Sequence, residues 1–145
     1  MGNKGDIIIT DSTILKAADI ATINRGGGIA TTPLVVHQKV PDARFTTGMT
    51  VFPPGEGAPM HSHNCDEQVT MLEGEGECEI DGVVTKLVRF DTTYVLANIP
   101  HRFTNTGSGP MRILWIYSSD RVTRTFAETG ETVEHLTEAD MMSSS

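Results

Sequence analysis

His61 and His63 are separated by a single residue, Ser62, and a carboxylate, Glu67, follows four positions after the second histidine. In an extended strand side chains alternate with a period of two, so both imidazoles project to one face. The intervening Asn64-Cys65-Asp66 leaves room for a tight loop that returns Glu67 to the same wall. Two neutral imidazoles and a carboxylate on one wall of a β cavity make a site for a divalent transition metal. His101, 34 residues beyond Glu67 and preceded by Pro100, is a fourth candidate ligand. Three of the five histidines would then meet at one ion. The donors are nitrogen and oxygen with no thiolate, a set that suits Fe(II), Mn(II), Ni(II), Co(II) or Zn(II). Four protein ligands on an ion that prefers six leave two positions for water, substrate or dioxygen, and an open site favours catalysis.

Alternation carries the reading outward from these ligands. If Glu67 faces a lumen, Val69 and Met71 do too; if His101 does, Phe103 and Asn105 follow, and Asn105 is placed to orient a ligand or bound water. Over residues 44–52 one face must line the cavity, either Arg44, Thr46 and Thr50 or Phe45, Thr47, Met49 and Val51. Arg44 in the lumen would fork onto a carboxylate or enolate substrate; the alternative is an Arg on the surface at the strand end. Trp115 and Tyr117 share a face and either shape an aromatic lumen or pack in the core. Cys65 lies between candidate ligands but has no base beside it in sequence, and Cys78 reads as a small buried residue. His37 and His135 fall outside the ligand pattern and read as structural or exposed.

The elements that must hold this cluster are short strands. Asp81-Gly82 is a two-residue hairpin signal, since both positions of a type I′ turn need positive φ. Gly26-Gly27-Gly28 follows no strand and opens no helix, so it reads as a turn before the first strand rather than a phosphate loop. Strand candidates cover residues 34–40, 44–52, 68–72, 77–80, 83–90, 94–96, 102–105, 111–117, 122–126 and 132–136, the last two joined by a hairpin at Glu128-Thr129-Gly130-Glu131. Strands at about 8 to 12 residue spacing indicate an all-β sandwich or barrel. Short helices are expected only over residues 14–24, capped by Asp11 or Ser12, and over 137–142.

Composition narrows the partners. Eleven Lys and Arg against 19 Asp and Glu give a net charge of −8, which argues against a nucleic acid as partner. No window approaches the ~18 apolar residues of a membrane span, and MGNKGDIII is not a secretory signal. Two cysteines make no disulfide framework, so a cytoplasmic setting is the expectation.

The spacing around the histidines carries a family resemblance. Gly55, five residues, His61-Ser62-His63, three residues, Glu67, six residues and Gly74 resembles the first signature of the cupin superfamily at every specified position. The second signature is looser: His101 and Asn105 match, whereas Phe90, Leu96 and Asn98 stand where the family has Gly, Pro and Gly. Asn98 can take the left-handed conformation a turn glycine would adopt. The resemblance implies an antiparallel jelly-roll β-barrel with the metal inside one mouth, held by His61, His63, Glu67 and His101. It implies one cupin domain over residues 1–145, with the barrel core at about 34–117, an N-terminal arm at 1–33 and a C-terminal hairpin and tail at 118–145. Strands beyond a minimal barrel suggest edge covering across a two-fold axis, and hence a homodimer. The function expected is a metal-dependent enzyme acting on a small carbonyl or carboxylate metabolite, with the ion as Lewis acid for isomerase, decarboxylase, dehydratase or lyase chemistry. The alternatives are an Fe(II)-dependent dioxygenase and a non-catalytic small-molecule-binding barrel.

Overall fold

Strict alternation of buried and part-exposed residues runs along the three longest strands, β3 (Thr46–Phe52), β5 (Glu67–Glu73) and β10 (Met111–Tyr117). Each presents one face to a common interior. The structure, a computed structural model, describes residues 12–142; Asp11 and the serines at 143–145 lie outside them. The remaining strands are β1 (Ile23–Asn24), β2 (Ala30–Pro33), β4 (His61–His63), β6 (Gly76–Ile80), β7 (Val83–Leu87), β8 (Thr92–Val95), β9 (His101–Asn105), β11 (Thr123–Phe126) and β12 (Thr132–Glu134). They form two six-stranded antiparallel sheets, ordered β1-β2-β3-β10-β5-β8 and β12-β11-β4-β9-β6-β7. The chain is therefore the expected all-β jelly roll, built as a sandwich of two sheets rather than one closed barrel. Among the described residues no helix is long and apolar enough to cross a membrane.

The interior divides along its length. Val69, Met71, Cys78, Phe103, Met111, Ile113 and Trp115 belong to one apolar cluster, while His61, His63, Glu67, His101, Arg25, Arg124 and Asp140 are also buried. Gly48 lies beneath the indole of Trp115, where an added Cβ would stand 2.4 Å from the ring, so only glycine fits there. Asp81 and Gly82 both have positive φ, and Ile80 pairs with Val83 across them, as a type I′ hairpin requires. Asn98 also takes the left-handed conformation its sequence position suggests, with φ 69°, and Phe90 does so at φ 76° with its ring exposed.

Three local expectations are corrected. Residues 14–24 make no helix: Ala17–Asp19 form a single 3-10 turn without a side-chain cap, and Ile23–Asn24 join a sheet. With Ile14 84% exposed, there is no buried face to stabilise a helix that short. Residues 137–142 turn instead of coiling. The Asp140 carboxylate accepts from the backbone N–H of Leu136, a local side-chain contact that competes with helical winding. Residues 34–40 are not a strand; Lys39 and Val40 N–H both donate to Val36 O in a turn, and the strand position is taken by β2. The triple glycine is a turn between β1 and β2, with all three φ positive.

Candidate metal centre

Three imidazoles meet because three registers agree. His61 lies directly opposite His101 across β4 and β9, and His63 follows His61 on the same inward face. Ring centroids are 4.4 Å apart for His61 and His101, 4.8 Å for His61 and His63, and 5.2 Å for His63 and His101. One ligand nitrogen from each lies within 4.8 Å of the others, and the triad is buried. Glu67 enters from the opposite sheet. Its Oε1 is 2.9 Å from His101 Nε2 and 3.7 Å from His63 Nε2.

The rings are oriented from behind. Nδ1 of His61 donates to Pro59 O at 2.6 Å, that of His63 to Thr123 O at 3.0 Å, and that of His101 to Ile99 O at 2.8 Å. With the Nδ1 protons of His61 and His63 committed to backbone carbonyls, their Nε2 atoms are left with a lone pair, the tautomer a metal ligand needs. Both neighbours of the His101 ring, Ile99 O and Glu67 Oε1, are acceptors, so a cation between Nε2 and the carboxylate would satisfy a pair otherwise short of a proton. Nitrogens each ~2.1 Å from one ion and at ~90–109° to each other lie ~3.0–3.4 Å apart, so a triad whose ligand nitrogens are within 4.8 Å would have to draw in by up to ~1.8 Å on binding. On this geometry the donor set fits a metal ion.

Burial pushes His61 well below the ordinary histidine value, helped by the nearby positive charge of Arg124, and takes His63 down to about 4. Burial alone would raise Glu67, but hydrogen bonding to His101 and the adjacent His63 hold it below the usual carboxylate range. Neutral imidazoles and an ionised carboxylate are the forms that bind a cation. The loop between His63 and Glu67 is held firmly: Asn64 accepts from Thr123 N–H and donates to Arg121 O, while Asp66 accepts from Ala97 N–H and from the Tyr94 hydroxyl.

Around this centre the lumen is aromatic. Tyr117 donates to His63 Nε2 at 3.3 Å, and burial together with Glu67 raises its phenol well above the ordinary value, so it stays a donor. Trp115 Nε1 donates to Thr50 at 2.9 Å. His135 lies outside the ligand pattern, yet its ring is 5.0 Å from Tyr117, 5.2 Å from Trp115 and 6.3 Å from His63. Its alternation with buried Val133 is the sequence signal that points it inward. The residue as a whole is half-buried, but desolvation of the ring, with Arg124 and Arg25 nearby, pushes it well below the usual histidine value.

Two arginines complete the lumen, and sequence reading found neither. Arg124 stands opposite His63 on β11 and is the buried residue of that strand. Arg25 and Asp140 form an ion pair at 3.0 Å, and Arg124 Nε lies 2.7 Å from the other Asp140 oxygen, close enough to pair although not aligned for a hydrogen bond. All three are at most 1% exposed. Burial lowers the Arg25 guanidinium from its ordinary value, with Asp140 opposing that effect.

The other sequence candidates are placed as follows. Phe103 lines the cavity with His61, Glu67, Trp115, Tyr117 and Arg124. Val69 and Met71 are buried but belong to the apolar core beside it. Asn105 is buried at the far end of β9, where its amide donates to Phe52 O and Gly109 O and accepts from Gly107 N–H, so it holds a loop. Arg44 is exposed, before β3 begins, and the lumen face of that strand is Thr46, Gly48, Thr50 and Phe52. Burial, with Glu67 nearby, raises the Cys65 thiol to about 11. Since only the thiolate alkylates, about one molecule in a thousand is reactive at pH 8. Labelling of native Cys65 by iodoacetamide should rise about tenfold per pH unit from 8 to 10; a rate already level by pH 9, followed by mass spectrometry, would contradict this.

A two-sheet jelly roll with a histidine triad facing its lumen is a fold that encloses a small-ligand or metal site between its sheets. Residues 48–117 match the cupin domain family, and the chain has the cupin fold. It is 31% identical over 65 residues to an uncharacterised protein of Methanocaldococcus jannaschii, a stretch covering 44% of this chain and 52% of that one. The chain thus spans about half the length of the curated relative it matches. Solved structures with the same fold include an RmlC-like cupin from Shewanella frigidimarina, with TM-score 0.65 and 18% identity over 75% of this chain and 92% of that one. A sugar phosphate isomerase from Silicibacter pomeroyi gives 0.64 and 18%, over 90% and 99% of the two chains. Oxalate decarboxylase of Bacillus subtilis gives 0.70 and 15%, over 90% of this chain and 34% of that one.

Proposed function

We propose that this chain is a metal-dependent enzyme acting on a small oxygenated metabolite through a carbonyl or carboxylate. The observation that supports it best is the buried triad, with one ligand nitrogen from each histidine within 4.8 Å of the others and each Nδ1 anchored on a backbone carbonyl. His61, His63, His101 and Glu67 would hold one divalent transition metal ion, which when bound supplies Lewis acidity to a chelating oxygen. The chain's own residues do the rest. Phe103, Ile113 and Trp115 exclude water from the lumen, and Tyr117 offers a phenolic proton beside His63. The relatives named for isomerisation and decarboxylation favour the non-redox branch over a dioxygenase. A binding protein that captures the same metabolite without turning it over is the second reading. Metal analysis of the purified protein should give close to one ion per chain. Oxygen uptake by the iron-loaded form with diketones or phenols would move the reading to the dioxygenase.

A homodimer belongs to the same proposal. The added strands β1-β2 and β11-β12 extend the sheets within one chain, so they do not require exchange between copies. The outer strands β7 and β8 and the turns beside them instead leave Val83, Val84, Phe90, Tyr94 and Leu96 more than half exposed between residues 83 and 96. An apolar strand edge of this kind is covered most simply by the same edge of a second copy, related by a two-fold axis. Light scattering at micromolar concentration should give twice the chain mass, and a monomer would overturn the proposal.

A further inference from the structure

Arg25 and Arg124 share Asp140 but are not equally served by it. Every Arg25 nitrogen has a partner: Nε donates to Asp140 O, Nη2 to Asp140 Oδ2 and Nη1 to Thr31 Oγ1. Arg124 has the Asp140 Oδ1 contact at 2.7 Å, and its Nη1 is buried with no hydrogen-bond partner among the described residues. A guanidinium in the protein interior normally finds acceptors for its donors, and an idle one carries a substantial desolvation cost. It does not lie over an aromatic ring either; Arg89 with Phe90 is the cation–π pair among the described residues.

The position of Arg124 says what would satisfy it. It stands opposite His63 on the neighbouring strand and lines the same cavity as His61, Glu67 and Tyr117. Charge gives a second argument. Besides the histidines, the buried charged side chains are Arg25 and Arg124 against Glu67 and Asp140, two of each sign. A divalent ion on the histidines would add two positive charges with no further buried acid to offset them, and a buried excess of charge draws in a counter-ion.

We propose that Arg124 is the anion-recognition residue of this cavity and that its ligand is a small carboxylate, held by Arg124 Nη1 beside the histidine triad. The proposal rests on reading the lumen as a binding cavity, and it deepens the functional reading by fixing the charge of the substrate. Carboxylate matches the guanidinium in shape and charge, and the restricted space selects a compact one. Arg25, fully engaged, is its neighbour's support rather than a second contact.

Formate is the probe and formamide its neutral counterpart. Trp115 is the single tryptophan of the chain and lines the cavity, so its fluorescence reports binding directly. Titrations are run on metal-loaded and on chelator-treated protein, for the wild type, for Arg124→Lys and for the double variant Arg124→Gln with Asp140→Asn. The double variant removes one charge of each sign, which leaves the lumen balanced and separates the Arg124 contact from net charge. Formate should bind the wild type, formamide should not, and the double variant should bind formate about ten- to a hundredfold more weakly with its metal content unchanged. Equal formate affinity in the wild type and the double variant, or equal binding of formamide, overturns the proposal. If the double variant does not fold, Arg124→Lys decides, since losing the planar fork should weaken formate by about tenfold and an unchanged affinity counts against Arg124. A wild type that holds no metal defeats the metal reading alone, because the chelator-treated titration still tests Arg124.

Discussion

His61→Ala and His101→Ala should each purify with less than about a tenth of the metal carried by the wild type. Changing groups that merely orient a ligand typically costs 10–100-fold in metal affinity, and deleting the ligand itself costs more. The two variants should remain folded, because the triad is held by backbone carbonyls rather than by an ion. His61→Ala leaves Pro59 O without its donor and His101→Ala does the same to Ile99 O, each at about 1 kcal/mol. Circular dichroism therefore separates loss of metal from loss of fold, and full metal retention in either variant removes that histidine from the ligand set. Glu67→Gln tells the carboxylate's role. As a ligand it should lose metal as the histidine variants do; as an orienter of His101 through the 2.9 Å contact it should lose only one to two orders of magnitude.

The largest effect on stability is expected at Asp140→Ala. Asp140 is fully buried between two guanidinium groups that are themselves 1% exposed. Removing one partner of a buried ion pair leaves uncompensated charge and costs about 3–5 kcal/mol. For a chain of this size that corresponds to a melting temperature lower by roughly 10 °C. The same substitution frees the Leu136 N–H that donates to Asp140, which loosens the tail from residue 136 onward. A triple variant in which Arg25, Arg124 and Asp140 are all replaced by apolar residues of similar volume should recover most of the loss, since the penalty comes from unpaired charge rather than from missing contacts. A melting temperature unchanged in Asp140→Ala would show that the ion triad does not form.

What the sequence made legible was local or periodic. The His-x-His pair needed only strand alternation, the Asp81-Gly82 turn only its φ requirement, and Asn98 only the tolerance of asparagine for the left-handed region. The missing residues depend on partners far along the chain. Arg124 between two threonines reads as a solvated strand residue until β11 is laid beside β4. Arg25 next to a glycine turn gives no hint of Asp140, 115 positions later. The helix expected over residues 14–24 rested on a capping signal without a surface to bury, and β1 took its last residues into a sheet. Arg44, the arginine singled out for a carboxylate, is exposed, and the arginines that reach the lumen are others.

The link between Arg25 and Asp140 also sets an order of events during synthesis. A growing chain possesses every triad histidine once residue 101 has emerged, and β10, the strand between β3 and β5, once residue 117 has. Until residue 140 follows, Arg25 and Arg124 have no common counter-ion, and seating both in a dry interior is unfavourable. Closing a loop of that length is itself entropically costly, so it waits for contacts that compensate. The three histidines have thus all emerged before the counter-ion that both arginines share, and His63 gains the carbonyl that orients it, Thr123 O, only in the interval between.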